Sequence, residues 1–152
     1  MASTAIAIDN LTLNVTDEIL VQASLENTFA ALLEQLGPGA EHVDGTPMAM
    51  KLEAWPGGRW YRDLGEDNGH FWGHVQAIKR PTLLEITGPM FMSYPVASNV
   101  QYRLSESEGG TLIKFHHTAL GLIPEEHRQG VKKGWAHIHD AVRKRAERKP
   151  IR

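Results

Sequence analysis

The strongest constraint in this sequence lies between residues 48 and 119, where six short runs of β-branched and aromatic residues follow one another without a helical repeat. Turn-forming segments such as WPGG, GEDNG, KRPT and SESEGG separate the runs, and this spacing is typical of strands joined by tight turns. The pattern therefore predicts an antiparallel meander. Its strands are expected near residues 48–54, 58–64, 70–79, 82–87, 98–105 and 111–119.

The segment before the meander predicts a strand followed by a helix. Apolar and polar residues alternate over residues 11–23, as they do in a half-buried strand. Ser24 then stands where a helix cap is expected, and leucine and phenylalanine recur at helical spacing behind it. Gly37 and Pro38 predict the end of this helix.

The segment after the meander, residues 124–149, predicts a long helix with one buried face. Its apolar residues Val131, Trp135, Ile138 and Val142 fall on a single stripe. A curved sheet must bury one face, and this stripe is the only one long enough to cover it. The sequence therefore predicts an α+β protein in the order strand, helix, six strands, helix, with the sheet wrapped around the last helix.

Length and charge favour one compact domain without a metal or a cofactor. The chain has 152 residues, a formal net charge of −2 and no cysteine, which excludes disulfides and thiolate sites and argues against nucleic-acid binding. The first residues lack a signal-peptide pattern, and no apolar run is long enough to span a bilayer. We expect a cytoplasmic monomer or homodimer with an extension over residues 1–10, one domain over 11–148 and a tail over 149–152.

Several segments, taken in order, resemble one superfamily. They are SLENTFAALLE in the first helix, PGGRW at the start of the third strand, WGHVQAIKRPTLLEIT, GGTLIKFHHTAL in the last strand, and GW in the final helix. Together they resemble the START-like (SRPBCC) superfamily. Within it the chain is similar to bacterial single-domain relatives of the activator of the heat shock protein 90 ATPase, which correspond to its Aha-type C-terminal domain.

That resemblance implies a helix-grip fold, also called START or Bet v-like, with an apolar cavity between the sheet and the last helix. Members of the superfamily bind lipids, sterols, polyketides or plant hormones, and some catalyse cyclisation or dehydration. The resemblance therefore implies an apolar or amphipathic small-molecule ligand. It also raises two alternatives, an enzyme of the cyclase, dehydratase or hydrolase type, and a stress-response module that binds a chaperone or another protein.

Histidines supply the candidate polar chemistry. Strand alternation predicts that His70 and His74 share one face, while His116 and His117 point to opposite faces. Only pairs result, and a metal site needs at least three converging ligands, so no metal is expected. His117 shares its face with Phe115, which places it inside. There it either orients a ligand or acts as a general base, or it is satisfied by hydrogen bonds within the protein.

Arg62 is the candidate charged group of the interior. It shares a strand face with Trp60 and Leu64, and a buried guanidinium requires a partner. That partner is Glu53, Glu85 or a ligand carboxylate, unless Arg62 is exposed. The opposite face, expected to be in solvent, carries Arg59, Tyr61 and Asp63.

The segment PGG, residues 56–58, precedes that strand and predicts a turn. Proline suits the second position of a type II turn, and glycine suits the third, which needs a positive φ. A phosphate-binding loop would lead into a helix, whereas this segment leads into the strand RWYRDL. We therefore expect Pro56 and Gly57 to form a hairpin turn.

Two further features bear on where a ligand or partner would bind. The segment GPMFMSYPVAS, residues 88–98, carries adaptable Met and aromatic side chains that suit a lid, a partner-binding surface or a plug of the core. Gly130 and Gly134 cost stability inside the final helix. They either leave room for a ligand or for close approach of the sheet, or Gly130 marks a bend.

The sequence thus predicts a small-molecule-binding protein and, as the alternatives, an enzyme using His117 with Arg62 or a chaperone-associated module. The residues expected to line the ligand are Trp60, Arg62, Met90, Met92, Tyr102, Phe115, His117 and Trp135.

Overall fold

The computed structural model describes residues 7–148 and consists of one seven-stranded sheet with two helices packed on it. The predicted extension, residues 1–10, lies only partly within the described residues, and the predicted tail, residues 149–152, lies outside them. A short 3-10 helix, Ile8–Leu11, comes first. The strands are β1 (Thr12–Val21), β2 (Met50–Leu52), β3 (Arg59–Gly65), β4 (Asn68–Lys79), β5 (Leu83–Gly88), β6 (Val96–Ser107) and β7 (Gly110–Gly121), and the helices are α1 (Leu25–Leu36) and α2 (Glu125–Glu147).

The sheet has the order β1-β7-β6-β5-β4-β3-β2, and every pair of neighbours is antiparallel. From β2 to β7 each strand therefore pairs with the next one along the chain, which confirms the predicted meander. The first strand closes against the last, with Thr12 opposite Leu120 and Val21 opposite Thr111. The predicted α+β helix-grip class is confirmed.

Helix α1 begins and ends where the sequence indicates. The Ser24 side chain accepts a hydrogen bond from the Asn27 amide at 3.1 Å, which caps the helix. Gly37 ends it, and its N–H returns to the carbonyls of the last turn. The buried face packs beside β3, where the Trp60 indole N–H donates to the Leu36 carbonyl at 2.8 Å.

Helix α2 lies across the sheet, but its buried stripe differs from the predicted one. The buried residues are Val131, Trp135, His139, Val142 and Ala146. Ile138 is only half-buried, so it lies at the border of the stripe, and His139 takes the central position. Within residues 7–148, no helix is long and apolar enough to cross a membrane.

The PGG segment forms the predicted turn between β2 and β3. The Gly58 N–H donates to the Trp55 carbonyl at 2.8 Å, and Gly57 has a φ of 82°, as the third position of a type II turn requires. A Cβ on Gly58 would lie 1.8 Å from the Glu53 carbonyl oxygen, so this close approach needs glycine.

Candidate functional site

An open apolar groove runs along one side of α2. Its volume is about 430 Å³. We call it the α2 groove and define it by the apolar side chains of Met48, Trp72, Phe91, Val131 and Ile138 together with the backbone of Gly130 and Gly134. Glu41, His42, Glu126 and His127 stand at its rim, and His137 lies at its inner end.

The groove is open because α2 presents no side chains at the two glycines. A Cβ built on Gly130 or Gly134 would meet no atom of another part of the protein within 4 Å. The opposite wall is the loop over residues 40–48, which is held by hydrogen bonds of its own. The His42 amide donates to the Thr46 carbonyl at 2.8 Å, and Asp44 accepts from the Thr46 amide and hydroxyl. The loop and the surface of α2 therefore form the two separate sides of the groove.

The inner end of the groove leads to two smaller spaces. One is a narrow apolar cleft of about 40 Å³ bounded by Leu36, Met50 and Trp60. The other, about 120 Å³, we call the basic pocket. Charged and polar residues line the basic pocket: Gln35, Glu41, His137, Asp140, Lys144, Arg145 and Arg148.

His137 belongs to all three spaces. Its Nε2 atom is buried and has no hydrogen-bond partner among residues 7–148. A buried imidazole nitrogen without a partner costs free energy. Nε2 is therefore available to hydrogen-bond a molecule that enters one of these spaces.

Between the sheet and the stripe of α2, aromatic and imidazole rings fill the interior. Phe115 lies at the centre, with its ring centroid 5.0 Å from that of Tyr102, 4.8 Å from that of Trp135 and 4.4 Å from that of His139. Trp135 stacks on His139 and meets His117 edge to face. These distances are those of packed aromatic cores.

His117 is fully buried in this interior, and both of its ring nitrogens are hydrogen-bonded. The Trp135 indole N–H donates to Nδ1 at 2.9 Å, and Nε2 lies 3.0 Å from the Ser98 hydroxyl oxygen. Because an indole only donates, Nδ1 must be the unprotonated nitrogen, and Nε2 donates to Ser98. Burial, aided by the charge of nearby His116, lowers the pKa of His117 to about 4. The ring is therefore neutral at pH 7.

A second buried imidazole, His139, joins Tyr102 to Asp17. Its Nε2 lies 3.0 Å from the Tyr102 oxygen, and its Nδ1 lies 2.9 Å from an Asp17 carboxylate oxygen. Burial lowers the pKa of His139, although the hydrogen bond to Asp17 opposes that shift. Burial also raises the pKa of Tyr102 well above its usual value. A neutral His139 therefore donates from Nδ1 to Asp17 and accepts a hydrogen bond at Nε2 from the Tyr102 hydroxyl.

This three-residue network was missed at the sequence level. A signal for it exists in β1, where Leu13, Val15, Asp17, Ile19 and Val21 share the inward face of the alternating pattern. An acidic residue in that series indicates a buried partner. The partner lies on α2, more than 120 residues away, and its identity cannot be read from local sequence.

Seven of the eight residues predicted to line a ligand are fully buried. They are Trp60, Met90, Met92, Tyr102, Phe115, His117 and Trp135. Among them, Tyr102, Phe115, His117 and Trp135 contact one another. Their role toward a ligand stays a prediction.

The eighth residue, Arg62, lies half-buried on the predicted inner face of β3, opposite Met50 and His70. The two carboxylates predicted as its partners have other partners. Glu53 pairs with Arg59 at 2.8 Å, and Glu85 accepts a hydrogen bond from Asn99. The buried Arg62 Nε has no partner among residues 7–148.

The predicted faces of the other β3 residues are confirmed for three residues and wrong for one. Arg59, Tyr61 and Asp63 do lie on the outer side, where the Arg59 guanidinium sits 4.6 Å from the Tyr61 ring centroid. Leu64, predicted to face inward, is 60% exposed, because the pairing of β3 with β4 is irregular between Asp63 and Gly65.

The prediction that His70 and His74 share one face is wrong. A β-bulge at Trp72 leaves that residue without a partner on β3, and a bulge reverses the alternation beyond it. His70 accepts a hydrogen bond from the Trp72 indole at 3.1 Å, whereas His74 packs on Phe71 on the outer side. His116 and His117 do point to opposite faces. No three histidine or acidic side chains converge in the part of the chain that the structure describes.

The Met-rich segment, residues 88–98, divides its side chains between core and surface. Met90 and Met92 are buried, whereas Phe91 is 36% exposed. The Phe91 ring lines the α2 groove, and its centroid lies 5.7 Å from that of Trp72 and 5.9 Å from that of Trp135.

The family model described as Activator of Hsp90 ATPase homolog 1-like protein matches residues 22–147 of this chain. No curated protein matches this chain. Among solved structures, CalU16 from Micromonospora echinospora is 21% identical with a TM-score of 0.62, over 88% of this chain and 76% of that one. A protein from Rhizobium leguminosarum is 17% identical with a TM-score of 0.71, over 91% and 96%.

The Aha1 dimer from Colwellia psychrerythraea is 16% identical with a TM-score of 0.60, over 89% of this chain and 96% of that one. At such identities the likeness to these three structures shows the fold alone.

Proposed function

The chain belongs to the Activator of Hsp90 ATPase homolog 1-like protein family, and on that premise we propose that it binds an apolar or amphipathic small molecule in the α2 groove. The ligand is of the lipid, sterol or polyketide-like class. It lies along α2, in contact with the backbone of Gly130 and Gly134, and its polar end meets His137.

The observation that carries this proposal is the open apolar groove itself. Its volume of about 430 Å³ falls in the range of small-molecule sites, roughly 300 to 1,000 Å³. Each helical glycine costs roughly 1 kcal/mol relative to alanine, and neither of the two contacts another part of the protein through the space that it leaves. A ligand bound in that space would explain why α2 carries these two costly glycines.

None of the eight residues predicted at first to line the ligand is among those that line the groove. Phe91 lines the groove, and its ring centroid lies 5.9 Å from that of Trp135, so we expect a ligand to reach Trp135, Phe115 or His117 only when the Phe91 ring moves aside. The proposal therefore assigns the first contacts to Trp72, Phe91 and the two glycines, and it keeps the deeper residues as a second layer.

We do not extend the proposal to catalysis by His117 with Arg62. Three strands, β4, β5 and β6, lie between the two residues in the sheet, and a general base must come within hydrogen-bond distance of its substrate. Both nitrogens of His117 are already engaged. A catalytic use of His117 would require one of these hydrogen bonds to break.

A chaperone-associated role receives less support from the geometry than ligand binding does. The Met-rich segment was the predicted docking surface, and Met90 and Met92 are buried. Docking through that segment would depend on Phe91 as its exposed apolar ring.

The proposal can be tested by blocking the groove without disturbing the core. Gly134→Leu places an isobutyl group in open space, because no atom outside the helix lies near the position of the new Cβ. Gly134→Ala adds one carbon and is the matched control, since both variants gain helix propensity. Native mass spectrometry of the freshly purified wild type, followed by a thermal-shift panel of fatty acids, sterols, flavonoids and polyketides, identifies the ligand class.

We expect a bound ligand to raise the melting temperature of the wild type and of Gly134→Ala by mass action. Gly134→Leu should be at least as stable as the wild type without ligand and should lose most of the ligand-induced increase. A panel in which no compound raises the melting temperature, with nothing copurifying, would overturn the proposal. Equal increases in all three proteins would show that binding takes place elsewhere.

A further inference from the structure

The basic pocket adjoins the α2 groove, so the apolar groove opens onto a charged site. Both spaces are lined by Glu41 and His137. His137 and Arg145 are eight residues apart, which is about 12 Å along a helix. Helical side chains lean toward the N-terminus, which brings the Arg145 guanidinium back toward His137.

Arg143 and Lys144 form ion pairs, whereas Arg145 has none among residues 7–148. Its Nε donates to the Gln35 side-chain oxygen at 3.1 Å, and its guanidinium lies against Gly39, where a Cβ would be 2.5 Å from Nη2. Among residues 7–148, no carboxylate lies within ion-pair distance of Arg145. The two terminal nitrogens of a half-buried guanidinium are therefore left to hydrogen-bond a molecule in the pocket.

The acidic residues of the pocket leave this positive charge largely uncompensated. Asp140 is held by Arg143 at 2.7 Å and by Lys144 at 2.9 Å. Glu41 is the remaining carboxylate in the lining, which also contains Arg145 and Arg148. The unpartnered Nε2 of His137 adds a hydrogen-bonding atom where the groove enters the pocket.

We propose that the ligand of the α2 groove is an anionic amphiphile whose carboxylate is bound in the basic pocket by the Arg145 guanidinium and the His137 imidazole. The inference rests on the proposed function, because the apolar part of the same molecule fills the groove. Arginine suits this role, since its planar fork matches the two oxygens of a carboxylate. The tail then runs from Ile138 past Gly134 toward Gly130.

The test compares three probes that share a ten-carbon chain and differ only in the head group: decanoic acid, 1-decanol and decyltrimethylammonium. Isothermal titration calorimetry at pH 7.5 and low salt measures each Kd. We expect decanoate to bind about tenfold more tightly than 1-decanol, the value of one charge-assisted interaction. Decyltrimethylammonium should bind most weakly.

Variants assign the preference to Arg145. Arg145→Gln should bring the affinity for decanoate to that for 1-decanol and leave the affinity for 1-decanol unchanged. Arg145→Lys keeps the charge and should retain part of the preference. Arg103→Gln removes an exposed arginine of β6 and is the matched control, which should behave as the wild type.

The outcomes separate this inference from the proposed function. Equal affinity of the wild type for decanoate and 1-decanol, or no effect of Arg145→Gln, would overturn the carboxylate site while groove binding stands. Tightest binding of decyltrimethylammonium would overturn it in favour of Glu41 as the selecting charge. Failure of all three probes to bind would count against the groove itself.

Discussion

Acid should destabilise this protein through His117, and the size of the effect follows from its burial. The imidazole is completely buried and neutral, and burial lowers its pKa from 6.5 to about 4. In the unfolded chain the same group takes up a proton near pH 6.5. Between these two values the unfolded state binds more protons than the folded state, so stability falls as the pH falls.

The magnitude follows from the same two values. One pKa unit corresponds to about 1.36 kcal/mol, so the full shift corresponds to about 3 kcal/mol, present above pH 6.5 and lost as the pH falls toward 4. At pH 4.5, about 2.5 kcal/mol of it should already be gone. His139, whose pKa is also lowered, adds to the loss in the same direction.

Urea unfolding at pH 7.5 and at pH 4.5 measures this contribution when the wild type is compared with His117→Gln. The glutamine cannot titrate, so the variant should lose about 2.5 kcal/mol less than the wild type over this interval. His74→Gln changes an exposed histidine of β4 and should keep the wild-type dependence on pH. Because the comparison is a difference between two pH values, any constant cost of the substitution cancels.

An equal loss of unfolding free energy in the wild type and in His117→Gln would refute the reasoning. It would mean that His117 takes up its proton in the folded state at the same pH as in the unfolded chain. The hydrogen bond from Trp135 to Nδ1 would then not hold in solution.

Two further substitutions test the interior and the turn. Tyr102→Phe removes the hydroxyl that donates to the buried Nε2 of His139 and should lower the unfolding free energy in urea by about 1–3 kcal/mol; an unchanged value would contradict the network. Gly58→Ala places a Cβ 1.8 Å from the Glu53 carbonyl oxygen, so its melting temperature should drop. Gly45→Ala is the control, because nothing lies within 4 Å of its new Cβ. Its melting temperature should fall only by the cost of the positive φ.

The fold was readable from the sequence because its signals are local. Turns and alternating strands can be recognised from residues that are close in the sequence, as the turn at Pro56 and Gly57 shows. The resemblance to a known superfamily agreed with these local patterns. The stripe on α2 was less certain, because Ile138 and His139 are only 100° apart on the helix. Hydropathy favours Ile138, but hydrogen bonds to Tyr102 and Asp17 make it possible to bury His139.

The site was only partly readable. Gly130 and Gly134 correctly indicated missing side chains on α2, yet the loop over residues 40–48 and Trp72, which complete the groove, are brought there by tertiary packing. The bulge at Trp72, whose local sign is the neighbouring Gly73, overturned the prediction that His70 and His74 share one face. The partners predicted for Arg62 failed because Glu53 has a closer cation at Arg59.

The most direct test of ligand binding in the α2 groove is an amide chemical-shift titration of the protein with 1-decanol, a probe that carries no charge. Binding in the groove predicts the largest shifts at Gly130, Gly134 and Phe91, with a smaller effect at Val43 on the facing loop. Shifts confined to the buried strand positions of Phe115 and His117, or spread without focus over the surface, would contradict it.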